Sequence, residues 1–156
     1  MTTSPRTVAD KMRVAPGCRV HVVGAPPGVV ETLGLPPHRL VMDLTGAELD
    51  HVHLFVCTRA ELEAGFPPLV PYVAPRGRLW VSWPRGRALG SDLGLPVVIE
   101  VGYDHAMVES TNVRVDDTWT ALCFTHPKPG KVYRNSYGTL PWQRGADRLP
   151  DPVKPT

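Results

Sequence analysis

Four groups of residues in this 156-residue chain have the types and spacing to do chemistry. The first is the turn Gly24-Ala25-Pro26-Pro27-Gly28, which follows an apolar run and leads into a short helical one. A phosphate or cofactor loop works there because successive backbone amides and a helix N-terminus point at the ligand. Pro26 and Pro27 remove two of those donors, and GAPPG is neither G-x-G-x-x-G nor G-x-G-x-G. A rigid structural turn is the plainer reading. Asp43 follows the next apolar run, where a ribose-binding carboxylate would stand, and it is the one feature that favours a nucleoside.

The second group is Cys57-Thr58-Arg59, at a strand end before a helix. A helix N-terminus can lower a thiol pKa and make Cys57 a nucleophile. Nucleophilic catalysis also needs an oriented base. His53 is on the same strand face, but nothing supplies a third member, so a buried thiol is simpler. The third group is Asp50, His51 and His53. The alternating histidines could hold a metal, but no third and fourth ligands lie nearby, so structural histidines are the plainer reading. The fourth is Ser82-Trp83 with Arg85 and Arg87. Trp83 at a strand end could stack on a planar ligand, and Arg59, Arg85 and Arg87 could meet its anionic part. Solvated loop arginines are the alternative. Asp116-Asp117 read as turn residues, because paired acid/base carboxylates need two different environments.

These residues must be positioned by the stretch Leu54 to Pro84. His53 to Cys57 is apolar and β-rich, the pattern of a buried strand. Thr58-Arg59-Ala60-Glu61 has the spacing of a capping box. Leu62, Phe66, Leu69, Val70 and Val73 share one helical face. Pro67, Pro68 and Pro71 end the helix near Phe66 and leave an irregular or single-turn segment. Ala74-Pro75-Arg76-Gly77 reads as a turn, and Leu79 to Trp83 as a strand stopped by Pro84. Strands joined through a helix should lie parallel with a right-handed crossover.

Elsewhere, Arg19 to Val23 is a strand, Val29 to Leu33 a short helix ended by Gly34, and Leu40 to Met42 a second strand. Residues 46–50 read as a connector and residues 85–90 as a flexible loop. Ser91 or Asp92 can start a helix that takes Pro96 in its first turn. Met107 to Val115 and Thr118 to Phe124 form an antiparallel hairpin around Asp116-Asp117. The expected fold is therefore α/β: Rossmann-like, three-layer, a mostly parallel sheet with a C-terminal antiparallel hairpin. Ligands of such sheets bind beyond the strand carboxyl ends. That rule gathers Gly24, Gly28, Asp43, Cys57, Thr58, Arg59, Ser82, Trp83 and Arg85 as the candidate ligand-binding ring.

The turn Val73-Ala74-Pro75-Arg76-Gly77-Arg78-Leu79 and the closing hairpin resemble the late part of a class I methyltransferase domain. That resemblance implies S-adenosylmethionine as the cofactor to consider. Residues 8–126 also resemble a family of small bacterial proteins known as domain of unknown function 3052. The resembling stretches are Ala15-Pro16-Gly17, Gly24 to Gly28, Leu54-Phe55-Val56, Thr58 to Leu62, Leu79 to Pro84 (LWVSWP), Ser91-Asp92-Leu93 and Val115 to Trp119 (VDDTW). This second resemblance implies a Rossmann-like domain and no established activity. The chain departs from that family at Gly94 and Pro96, which implies a late helix start.

Composition bounds the rest. Apolar content of 42% and charged content of 21% are ordinary for a globular domain, while 18 prolines predict short elements and stiff loops. No apolar run approaches the roughly 20 residues that span a membrane, and Met1 to Arg13 has no secretory h-region. Cys18, Cys57 and Cys123 are widely spaced and odd in number, as expected of reduced thiols in a cytoplasmic protein. Residues 127–156 hold Lys128, Lys131, Arg134, Arg144, Arg148 and Lys154 against Asp147 and Asp151, with six prolines. They read as a basic arm beyond the domain of residues 1–126. Tyr133, Tyr137 and Trp142 favour its docking, either on the fold or on a second copy as a homodimer contact. Its charge is too small to favour nucleic acid. The function expected from sequence is a non-catalytic module that binds a partner or small anionic ligand at the strand ends, with no cofactor. The alternative is a divergent S-adenosylmethionine-dependent methyltransferase.

Overall fold

The computed structural model describes residues 7–143. Within them lie α1 (Val8–Lys11), β1 (Arg19–Val23), α2 (Val29–Thr32), β2 (Arg39–Leu40), β3 (Leu49–Phe55), α3 (Arg59–Gly65), β4 (Val73–Pro84), α4 (Leu95–Asp104), β5 (Val108–Arg114) and β6 (Trp119–Thr125). Of the two connections flanking β4, Pro67–Tyr72 is wound as a 3-10 helix and Arg85–Gly90 is an irregular loop. The strands form one sheet in the order β2-β1-β3-β4-β6-β5. β2, β1, β3 and β4 are parallel, and the β5–β6 hairpin adds antiparallel to β4. The fold is α/β and Rossmann-like, as expected.

Two apolar layers sandwich the sheet. Leu62, Phe66 and Leu69 of the helical face join Val98 and Val101 of α4 over Val52, Leu54, Leu79, Val81 and Trp83. The other face carries Phe55, Trp80, Trp119 and Cys123 under Ala9, Met12, Val29 and Leu33. Trp80 and Trp83 thus sit on opposite faces, as their spacing requires.

The capping box forms as read. The Thr58 hydroxyl accepts from the Glu61 amide at 3.1 Å, and Glu61 reaches back to the Thr58 amide at 3.3 Å. A third partner was not legible locally: Asp92 accepts from the Arg59 amide at 2.8 Å, tying the loop before α4 to the start of α3. The hairpin turn is held by Asp116, which accepts from the amides of Thr118 and Trp119 at 2.8 and 2.7 Å.

Several boundaries differ from the sequence reading. β3 begins at Leu49, inside the expected connector, and ends at Phe55. β2 is Arg39–Leu40 and not Leu40 to Met42. β4 runs straight through the expected Ala74 to Gly77 turn as a twelve-residue strand. A register shift opposite Leu49/His51 absorbs the irregularity, and Gly77 lets the Leu49 carbonyl approach where a side chain would clash. α4 starts at Leu95 with Gly94 at its cap and not at Ser91 or Asp92, so the chain adopts the late start that its departure from the resembling family at Gly94 and Pro96 implies. Residues 127–143 pack on the fold: Leu140 is fully buried, Asn135 donates to Glu109 at 3.1 Å, and Gly138 lies against Tyr103. The basic residues Arg144, Arg148 and Lys154 lie outside the described residues.

Gly102 in α4 has no room for a side chain, because a Cβ there would overlap the Phe124 ring. That ring also meets Phe66 edge-on at 5.3 Å, so it cannot yield without disturbing both helices. Gly102→Ala is expected to lower the unfolding free energy by about 2–3 kcal/mol in urea melts, the usual range for overpacking. An unchanged midpoint would mean that the helix and β6 pack more loosely than described.

Candidate functional site

The strand order reverses between β1 and β3, so the carboxyl ends of these strands form the crevice where open α/β sheets bind ligands. A cleft of about 610 Å³ opens there. Its lining is mostly apolar: Val23, Pro26, Leu54, Phe55, Leu89 and Trp119 are the main side chains. The rings of Phe55 and Trp119 meet edge-on at 5.4 Å and are 5% exposed each. Trp119 arrives from the hairpin, folded back by the Asp116 turn.

Gly24 makes the crevice. Its φ is +73°, and a Cβ there would lie 2.8 Å from the Phe55 carbonyl oxygen. The Pro26 carbonyl accepts from the Val29 amide at 3.2 Å, so the turn consumes a donor near the helix start. α2 itself is only four residues long.

The expected ring of site residues does not gather in one place. Gly24 and Cys57 line this cleft. Gly28 lies outside it on an exposed turn at φ +81°. Asp43 is exposed and folded onto its own loop, accepting from the Thr45 amide at 3.0 Å, which lowers its pKa. Thr58 is occupied as a cap. Arg59 pairs with Glu63 at 3.1 Å and Glu100 at 3.4 Å. Ser82 is fully buried, with its hydroxyl 2.6 Å from His53 Nε2. Trp83 and Arg85 do come together with Arg87, but in a separate recess of about 340 Å³ beside α4. Trp83 shows only 4% of its surface, being chiefly a core side chain.

The titratable groups of the cleft are not set up for nucleophilic attack. Burial, and then the charge of Glu61, push the Cys57 thiol pKa up, opposite to the lowering that a helix N-terminus would give. Glu61 is the carboxylate in the lining, and it is engaged by the amides of Cys57 at 2.7 Å and Thr58. Among the described residues no group of three or more His, Cys, Asp or Glu could hold a metal.

Sequence reasoning missed Phe55, Trp119 and Leu89 as cleft residues. Leu89 is 68% exposed and stands at φ +57°, in a loop where Gly86, Arg87 and Gly90 are also left-handed. Left-handed backbone costs a non-glycine residue roughly 1–2 kcal/mol, so the loop holds Leu89 over the cleft against its local preference.

No family model matches the chain, and no curated protein matches it. Solved structures do. The chain is similar to ribosomal protein L11 methylase from Lactobacillus delbrueckii subsp. bulgaricus, with a TM-score of 0.52 and 13% identity over 78% of this chain and 75% of that one. It is also similar to magnesium protoporphyrin IX methyltransferase from Synechocystis PCC 6803 in a structure with bound SAM, with a TM-score of 0.51 and 14% identity over 77% and 74% of the two chains. The fold is methyltransferase-like. At such identities the likeness is one of fold, and the finer resemblance to domain of unknown function 3052 has no family match behind it. No helix among the described residues is long and apolar enough to cross a membrane.

His51 and His53 stand behind the cleft on β3. Both are buried, at 3% and 0% exposure. Burial first, and the neighbouring positive charge of Arg78 and His38 second, lower the His51 pKa to about 4, and His53 lies well below its ordinary value through burial. A histidine kept neutral by the fold stabilises it above the unfolded pKa of about 6.5. Below that pH the unfolded chain takes up protons that the folded chain refuses, so stability falls as pH drops from about 6.5 towards 4. At pH 5 the loss from His51 alone is about 2 kcal/mol. Urea midpoints at pH 7, 6 and 5 should decline accordingly, and a flat profile would mean that the rings are solvated in the folded protein.

Proposed function

We propose that this chain is a small-molecule-binding protein built on the methyltransferase plan. Its ligand carries a planar or apolar part that lies in the β1/β3 crevice against Phe55 and Trp119. The observation that supports this reading is the chemistry of that lining: two aromatic rings and aliphatic side chains at the place where the fold binds ligands. An anionic ligand, the sequence expectation, would have to meet Glu61 there. The guanidinium of Arg59 is already shared between two carboxylates.

The second reading is S-adenosylmethionine-dependent methyl transfer. It is favoured by the likeness to methyltransferases whose structures carry SAM or SAH. The residues present do not fit that group well. The first turn lacks two amide donors at Pro26 and Pro27, and Asp43 is outside the cleft lining. Glu61 is left as the carboxylate for a ribose, and it already serves as a cap. No transfer step is derived for this chain.

Calorimetric titration decides between them. Indole, as a planar apolar probe, is expected to bind saturably and to be lost in Ala64→Trp, which fills the cleft from an exposed position on α3. SAM and SAH are expected to bind more weakly than about 1 mM, on the order of −4 kcal/mol. Micromolar binding of SAM that Ala64→Trp abolishes would replace the first reading by the second. Indole binding that Ala64→Trp leaves unchanged would overturn the first.

A further inference from the structure

At the opposite end of the sheet, the amino ends of β1, β3 and β4 enclose a second pocket of about 270 Å³. The stretch Ala15-Pro16-Gly17 and, from the start of β4, Arg76 and Arg78 meet here, and none of them lines the crevice at the other end. Arg13, Arg76 and Arg78 line it, together with Cys18, Asp50 and His51. None of the three arginines forms an ion pair among the described residues. Asp50 is not their counter-ion. Its carboxylate accepts from the Arg19 amide at 2.9 Å, from Arg19 Nε at 3.2 Å and from Nη2 at 3.4 Å, so its charge is matched within β1. His51, 3% exposed, lines the pocket, and its Nε2 is buried with no hydrogen-bond partner among the described residues. A buried polar nitrogen without a partner is costly, and native structures leave few of them without a ligand or water.

We propose that this pocket is an oxoanion site that takes a phosphate group carried on a short carbon skeleton. Arg13, Arg76 and Arg78 supply the charge-assisted donors, and guanidinium groups suit the forked geometry of phosphate oxygens. His51 closes the inner wall and can donate from Nε2 in the neutral tautomer. The volume lies just under the roughly 300 Å³ where small-molecule pockets begin, which suits a small phosphate monoester and excludes a nucleotide. The site is independent of the crevice between β1 and β3, and it holds whichever reading of that crevice is right.

The test is titration of the full chain with inorganic phosphate and with glycerol 2-phosphate, followed by calorimetry and by the ring proton signals of His51 in NMR spectra. Both ligands should saturate, glycerol 2-phosphate more tightly, and the His51 signals should move with the binding isotherm. Arg76→Gln, at an exposed position, should weaken binding about ten-fold or more, the usual effect of losing a charge-assisted contact. Ala64→Trp, in the other crevice, should leave it unchanged. Arg13→Gln provides a second reading should Arg76→Gln prove unstable. Binding that leaves the His51 signals still, binding indifferent to both arginine variants, or no saturable binding at about 10 mM, on the order of 3 kcal/mol or less, would each overturn the proposal.

Discussion

The approach of Gly24 to the carbonyl of Phe55 is the contact on which the rest of the site depends. β1 and β3 are neighbours in the sheet, with Val23 opposite Leu54, and their continuations must part there. One chain leaves for α2 and the other for α3, on opposite faces. A Cβ at Gly24 would stand 2.8 Å from that oxygen, so only glycine fits there and still turns at φ +73°. The crevice floor is therefore backbone, and its walls are whatever the two strands and the hairpin place above it. The two prolines that follow stiffen this turn at the cost of donors, which moves the chemistry of the crevice from hydrogen bonding towards apolar contact.

β3 connects the two ends of the molecule. His51, His53 and Phe55 share one face of it by the alternation of a strand. The His53 ring stacks on Phe55 at 4.1 Å between centroids and meets His51 edge-on at 5.9 Å. One end of this ladder lines the aromatic crevice and the other lines the arginine pocket. His53 Nδ1 and Nε1 of Trp80, its register partner in β4, are buried without hydrogen-bond partners among the described residues. Two imidazoles in a position where aliphatic side chains would avoid that cost set this face of β3 apart from the opposite face, where Val52 and Leu54 serve.

Much of the fold was legible because its signals are local. A capping box, a strand between two glycines, proline stops and an acidic hairpin turn each lie within a few residues, and each forms as read. What escaped is long-range. β4 overrides a turn-like Pro-Arg-Gly because β3 offers it a pairing edge and a register shift takes up the irregularity. Asp92 caps α3 from beyond β4, which no sequence window shows. Trp119 is a buried anchor of the hairpin, and the fold also turns its ring into the crevice. Leu89 sits in a loop where it and Arg87 are left-handed without being glycine, and no local sequence signal announces that backbone. The reading of Arg59 as an anion contact failed to foresee Glu63 and Glu100, one a helical turn away and one on α4.

The proposed function requires the β1/β3 crevice to act as an apolar, aromatic-walled binding site. Fragment screening by NMR, read on the methyl groups of Val23, Leu54, Val56 and Leu89 and on the indole of Trp119, addresses that claim without presuming a ligand. Planar apolar fragments are predicted to shift those signals together and to leave the recess around Trp83 and Arg87 unmoved. Fragment hits that cluster elsewhere, with Leu54 and Trp119 silent, would contradict it.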